Sequence, residues 1–259
     1  MNEPLIYTMA SYLAGVFPPN KSVGLYGAFK VIKNLARAHI EAYKEIKSID
    51  NTKKVGISKN TVSSKVDKRS FIFWPLTKFL DYTFNTYFVS KTKKHLVFLG
   101  LNYYYLVYGR FSRFINLIKI LFFGSEPDPF SSRHLEDPDI IGTSDMGWYL
   151  YPKGMYERVM FYHKKYKLPI MITEHGLADK EDRIRLEYTK QSLEYLHQAI
   201  TDGAEVLGYM HWSLLDNFEW DKGYWPKFGL VEVDIKTGER RVRESAKKIG
   251  EIYKNNYIE

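Results

Sequence analysis

The chain has no cysteine, which excludes disulfide cross-links and thiolate metal sites and makes the reducing cytoplasm its expected compartment. Long apolar runs are missing too, and nothing approaches the ~18 residues a membrane-spanning helix needs. An acid at position 3, with no basic segment leading into an apolar stretch, argues against a secretory leader. The 7 histidines show no metal-ligand spacing, so neither a metal nor another cofactor is expected.

What is present is a globular balance over 259 residues, 45% hydrophobic and 26% charged, enough to bury a sizeable core. Aromatic residues make up 16%, with 21 Tyr, 16 Phe and 5 Trp. Most of these rings belong in a core, and some suit stacking on the apolar face of a sugar. The net charge of +8 could attract nucleic acid or anionic lipid, but the basic residues are scattered among 30 acids. No nucleic-acid-binding motif accompanies them, so a solvated basic surface is expected.

Apolar positions recur at helical spacing from Gly27 to Lys47, and a short β-like run follows at Lys54 to Ser58. Residues 59–94 read as irregular, with one helix around Pro75 to Tyr87. The run Leu96 to Asn102 reads as a buried strand, and 106–145, with Pro127, Pro129 and Pro138, as a long connection. A helix is expected over Tyr151 to Lys167, a strand over Pro169 to Thr173, and a helix over Ile184 to Thr201. A strand over Val206 to Trp212 and a last helix from Arg243 to Asn255 complete the pattern. Short apolar strands alternating with helices predict parallel βα units of α/β class. In a βα barrel the C-terminal strand edge is where sites are built.

Three segments stand out at such strand ends. Glu174 follows Ile170 to Thr173 and projects from a rigid platform, though a lone acid there is weak evidence and is more often a salt-bridge partner or helix cap. Glu3 stands in Asn2-Glu3-Pro4, where the proline restricts the backbone before it. His211 to Trp220 (HWSLLDNFEW) packs two Trp, one Phe and two acids into one strand end. Such rings and carboxylates together suit a polyhydroxylated ligand, since carboxylates accept hydroxyl hydrogen bonds while indoles cover the carbon face.

At these residues the chain resembles glycoside hydrolase family 1, retaining β-glucosidases and β-galactosidases on a (β/α)8 TIM barrel. Asn2-Glu3-Pro4 resembles the acid/base segment ending barrel strand 4, and Gly100-Leu101-Asn102-Tyr103-Tyr104 the strand 6 segment. Ile172-Thr173-Glu174-His175-Gly176 resembles the nucleophile segment of strand 7. Trp212 to Trp220 resembles the sugar-recognition segment of strand 8, and Phe228-Gly229-Leu230-Val231 continues it in register.

The resemblance implies that Glu174 is the nucleophile and Glu3 the acid/base, acting without metal or cofactor on a β-linked glycoside. It implies that Asn2 bonds the sugar's 2-hydroxyl, that Tyr104 orients Glu174 with support from Asn102, and that Trp212 floors the ring. Glu219 and Trp220 are implied to bind distal hydroxyls, with Phe228 beside them. Phospho-β-glycosidases of the family generally replace the acid at Glu219, so its presence implies a neutral sugar.

Two departures accompany the match. His175 stands where the family usually has Asn, and imidazole is bulkier and can be cationic, which bears on the geometry and pKa around Glu174. The larger one is extent: residues 1–259 match the C-terminal half, barrel strands 5–8 and the end of strand 4. A half-barrel has two open edges, so a longer polypeptide, a second chain or an oligomer is expected to cover them. A non-catalytic carbohydrate-binding or membrane-associated half-barrel stays open as an alternative. Residues 110–123, apolar with basic flanks, suit either a membrane interface or a helix packed over the barrel mouth.

Overall fold

The computed structural model describes residues 1–66, 82–83, 85–109 and 137–258. In chain order the elements are α1 (Pro4–Thr8), α2 (Gly24–Ile49), β1 (Gly56–Val66), α3 (Tyr87–Thr92) and β2 (Phe98–Gly109). Then follow β3 (Gly142–Thr143), β4 (Tyr149–Leu150), α4 (Lys153–Tyr166), β5 (Ile170–His175), α5 (Arg185–Thr201) and β6 (Val206–His211). A small hairpin, β7 (Val231–Val233) and β8 (Arg240–Val242), precedes α6 (Glu244–Asn255).

The four long strands pair in parallel in the order β1-β2-β5-β6, and the β3–β4 hairpin joins β2 antiparallel at Leu106. Asn2 extends the sheet past β1 through a parallel bridge to Ser58. Alternate residues of each strand point to opposite faces. On one face Ile57, Leu99, Leu101, Tyr103, Ile170 and Ile172 pack under Ile32 and Ala36 of α2, Met155 and Val159 of α4, and Leu196 and Ala199 of α5. The opposite face carries Asn60, Asn102, Tyr104 and Glu174.

Strand β1 runs eight residues beyond the predicted Ser58, so residues 59–66 are strand rather than irregular. Their polarity hid the strand, because Lys59, Thr61 and Ser63 are buried yet polar. Partners satisfy them: Thr61 Oγ1 donates to Asn85 Oδ1 at 2.9 Å, and Ser63 Oγ to Glu157 Oε2 at 3.3 Å. Strand β2 likewise continues through residues 106–109, expected to be loop. The helix expected over Pro75 to Tyr87, and the segment 110–123, lie wholly or mostly outside the described residues. No helix among the described residues is long and apolar enough to cross a membrane.

Two β-bulges decide what reaches the polar face. The β1–β2 register passes from Thr61↔Tyr103 to Ser63↔Leu106, which leaves an extra residue on β2 beside Tyr104 and Tyr105. The β2–β5 register passes from Leu101↔Ile172 to Asn102↔Glu174, an extra residue on β5 at Thr173. Bulges re-aim side chains next to sites.

A buried arginine ties the loops after β5 and β6 together. Arg185, 0% exposed, donates through Nη1 to the carbonyls of Leu177 and Phe228 and through Nη2 to those of Asp179 and Lys227. Its Nε donates to Asp182 Oδ1 at 2.8 Å. Nearby, Asp216 accepts from Arg243 Nη1 and Nη2, each at 3.2 Å, and from the Gly229 N–H. That acid of the HWSLLDNFEW segment is therefore an anchor of its own loop.

The free edge of β6 has no partner strand among the described residues, and Leu207 and Met210 on it are 43% and 51% exposed. A groove of about 780 Å3 lies there, lined by Leu196, Ile200, Leu207, Ile252, Tyr253 and Tyr257 among others. At the opposite edge Leu25, Tyr26 and Phe29 of α2 are also exposed.

Replacing Arg185 by Met removes its hydrogen bonds to four carbonyls and leaves the Asp182 carboxylate without its cation. Urea denaturation is expected to show a loss of about 3–5 kcal/mol, as for other broken buried ion pairs; a loss under about 1 kcal/mol would rule out this anchoring role.

Candidate active site

Three strand ends and one chain segment converge on the polar face of the sheet. Glu3 is fixed by main-chain pairing: its N–H donates to Ser58 O at 2.8 Å, and Ser58 N–H donates to Met1 O at 3.0 Å. Pro4 opens α1, and Glu3 before it is left-handed, with φ 39° and ψ 56°. Asn102 Nδ2 donates to Glu3 Oε1 at 2.9 Å and to Asn2 Oδ1 at 3.1 Å. The Asn102 oxygen accepts from Thr173 Oγ1 at 2.6 Å. The bulge thus lets Thr173 hold Asn102 while Glu174 stands level with it.

Glu174 Oε2 accepts a hydrogen bond from Tyr104 Oη at 2.7 Å. Glu219 Oε2 accepts from Asn217 Nδ2 at 3.2 Å. Trp212 is brought close to β5 because its N–H donates to His175 O at 2.9 Å and Gly176 lies against its carbonyl. A Cβ at Gly176 would come within 2.0 Å of that oxygen, so only glycine fits. The Trp212–Ser213 peptide is cis.

Asn2, Glu3, Tyr104, Glu174, Trp212, Glu219, Trp220 and Phe228 all line one pocket of about 360 Å3. Asn102 is fully buried directly behind it. Phe228 is only 1% exposed and forms wall beneath Tyr104 and Trp148, at ring distances of 6.2 and 6.1 Å. Trp220 is 57% exposed at the rim and stacks on Phe17 at 4.8 Å.

Pattern reading passed over Phe17, Asn60, Tyr105 and Trp148, which line the same pocket. Tyr105 reaches it because of the β2 bulge and stacks on Trp148 at 4.7 Å. The available signal for Tyr105 was a third ring after Tyr103-Tyr104. For Trp148 it was one of only 5 Trp placed just before a strand.

The electrostatics separate the two carboxyls. Glu3 is raised from 4.5 to about 7, first by burial and then by the charge of Glu174, against the pull of the Asn102 amide and the more distant Lys59. Burial also raises Glu174, opposed by hydrogen bonds from Tyr104, Asn2 and Asn102. Glu219 is raised chiefly by burial as well. The arrangement offers one carboxyl that keeps its proton up to about pH 7 and a second that is better supplied with hydrogen-bond donors. That is the equipment of paired acid and nucleophile chemistry.

His175 departs from its expected influence. It faces away from the pocket into the helix layer and is fully buried. Burial, and then His211, push its pKa well below the usual histidine value. It is neutral, and so places no cation beside Glu174. Among the described residues no cluster of three or more potential metal ligands occurs.

The family model for glycosyl hydrolase family 1 matches residues 81–258. The chain belongs to glycosyl hydrolase family 1. Within the family, it is 32% identical to a β-galactosidase of Pyrococcus woesei, over 99% of this chain and 57% of that protein. It is 29% identical to β-glucosidase A of Thermotoga maritima, over 100% of this chain and 63% of that one. The crystal structure of the hyperthermophilic β-glucosidase from Pyrococcus furiosus superposes with a TM-score of 0.82 at 30% identity, covering 100% of this chain and 54% of that chain. The fold is accordingly part of a (β/α)8 barrel, and this chain spans little more than half the length of these family 1 relatives.

Because Glu174 contributes to the raised pKa of Glu3, Glu174→Gln is expected to move the Glu3 carboxyl downward from about 7. Carbon-13 titration of labelled glutamates reads this directly. An unmoved or higher Glu3 pKa would show that the two do not interact.

Proposed function

We propose that this chain carries both catalytic carboxyls of a β-glycosidase that hydrolyses β-glucosides or β-galactosides with net retention through a covalent glycosyl-enzyme intermediate. The observation that carries the reading is the pairing of Glu3, raised to about 7, with Glu174, bonded by Tyr104, in one pocket. Glu174 attacks the anomeric carbon. Glu3 protonates the leaving oxygen and then, deprotonated, activates water for deglycosylation. Tyr104 holds the Glu174 carboxylate in its attacking direction. Asn2, secured by Asn102, is placed to bond the sugar 2-hydroxyl, a contact that strengthens as positive charge grows at the ring. Trp212 supplies an apolar floor, and Glu219 and Trp220 take the distal hydroxyls. A third carboxylate in the pocket repels phosphate, which favours a neutral sugar.

The exposed β6 edge and the exposed start of α2 support a further element of this reading, that more βα units cover both edges and complete the site. The same edges favour sugar binding without turnover by the 259-residue chain taken alone, which calorimetry and a turnover assay on that chain distinguish.

In the polypeptide with a completed barrel, Glu174→Gln is expected to abolish cleavage of an aryl β-glucoside. Glu3→Gln is expected to slow a poor leaving group by about 10²–10⁴-fold while sparing a dinitrophenyl glycoside far more. NMR of the first product is expected to show the β anomer. An α anomer, or wild-type turnover in Glu174→Gln, would refute the mechanism.

A further inference from the structure

The outward face of β5 holds a group that the proposed chemistry leaves unused. The His175 ring lies 4.7 Å from that of Tyr188 on α5 and 6.2 Å, nearly parallel, from that of Tyr103 on β2. Its Nδ1 shares a hydrogen bond of 2.7 Å with Tyr209 Oη on β6, while Nε2 is buried with no hydrogen-bond partner. The flanking tyrosines are themselves pinned. Tyr103 Oη donates to Tyr151 O at 2.7 Å, and Tyr188 Oη donates to Tyr104 O at 2.7 Å. Tyr104 is the residue whose own hydroxyl reaches Glu174.

We propose that His175 is a positioning residue, a wedge held by Tyr209 and set between Tyr103 and Tyr188, which fixes the direction in which the Glu174 carboxylate leaves β5. This rests on the reading of Glu174 as nucleophile. Neighbouring residues of a strand project to opposite faces, so a rotation of the backbone that loosens one swings the other. Both registers of β5 shift just before this point, and pairing resumes at His175, opposite Tyr103 on β2 and His211 on β6. The side-chain anchor at His175 therefore sits where the ladder recovers from the bulge, one residue after Glu174. The only polar atom of the ring in use is Nδ1. An asparagine amide reaches the position of that atom, whereas a leucine fills the volume without it.

The test uses the protein with a completed barrel and an aryl 2-deoxy-2-fluoro-β-glucoside, which accumulates the covalent intermediate. Mass spectrometry of wild type is expected to place the label on Glu174. His175→Leu and Tyr209→Phe are expected to lower the saturating trapping rate by about tenfold or more, the scale on which small misplacements act. The half-saturating concentration is expected to stay within about twofold, as for loss of an interaction made in the transition state. His175→Asn is expected to recover most of the rate. Label on another carboxylate would overturn the nucleophile reading, and this proposal with it. Label on Glu174 with a wild-type trapping rate in Tyr209→Phe, a change of one oxygen that keeps the ring, would overturn the positioning role alone. So would a His175→Asn variant no faster than His175→Leu.

Discussion

The placement of Glu174 depends on one irregularity, the extra residue at Thr173 in the pairing of β5 with β2. In a regular ladder, Glu174 would follow Thr173 onto the outward face and His175 would face the pocket. The bulge lets Thr173 and Glu174 both serve Asn102, one through a 2.6 Å hydrogen bond and the other through register. Asn102 in turn donates to Glu3 and Asn2. A single neutral amide thus links the chain segment before α1 to β2 and β5. A second bulge, on β2, turns Tyr104 and Tyr105 together toward the same space. Two departures from strand regularity therefore assemble the groups that regular strands would scatter.

The electrostatic consequence follows from what surrounds the acids. Three carboxyls, Glu3, Glu174 and Glu219, share a pocket from which water is largely withdrawn, and burial is the first cause of the shift at each. Their hydrogen-bond donors are the neutral groups of Asn102, Tyr104 and Asn217. An arginine bonded to either acid would have neutralised the difference between them, because a fixed cation pulls a carboxyl pKa down. Among the described residues the buried arginines lie elsewhere, Arg185 on four carbonyls and Asp182, and Arg243 on Asp216. Neutral donors orient the acids without cancelling the burial and the repulsion from Glu174 that raise Glu3.

Much of this was legible in residue order, and the parts that were not share a physical cause. β5 and β6 are short runs dominated by apolar residues, so the segments around Glu174 and Trp212 to Trp220 could be placed at their ends. Asn2-Glu3-Pro4 was recognisable by resemblance, while its anchorage, a bridge to Ser58, was not. β1 escaped notice beyond Ser58 because Lys59, Thr61 and Ser63 meet partners on α4 and before α3, and satisfied burial leaves no apolar trace. Tyr105, Trp148 and Phe17 depend on bulge and loop geometry, which no periodicity encodes. His175 showed the converse: its identity was visible, but its charge state and direction follow from the helix layer it enters.

The layer behind β5 also bears on how the fold tolerates unusual polarity. His175 and Ser192 are buried there, and the His175 Nε2, both ring nitrogens of His211 and the Ser192 hydroxyl lack hydrogen-bond partners. Such groups are costly unless the surroundings keep them neutral, and both histidines are driven far below their ordinary pKa by burial. A charged residue at either place would face the same burial with Arg185 already close to His211. Neutral rings are therefore what this layer admits. Tyr103, Tyr188 and Tyr209 surround His175 with their rings, and Tyr209 adds one hydrogen bond. The same tyrosines reach round the sheet edge: Tyr188 touches the main chain of Tyr104, and Tyr104 touches Glu174. Packing on the outer face and orientation on the inner face are in this way two ends of one set of contacts, so a change confined to the core can be felt at the carboxylate.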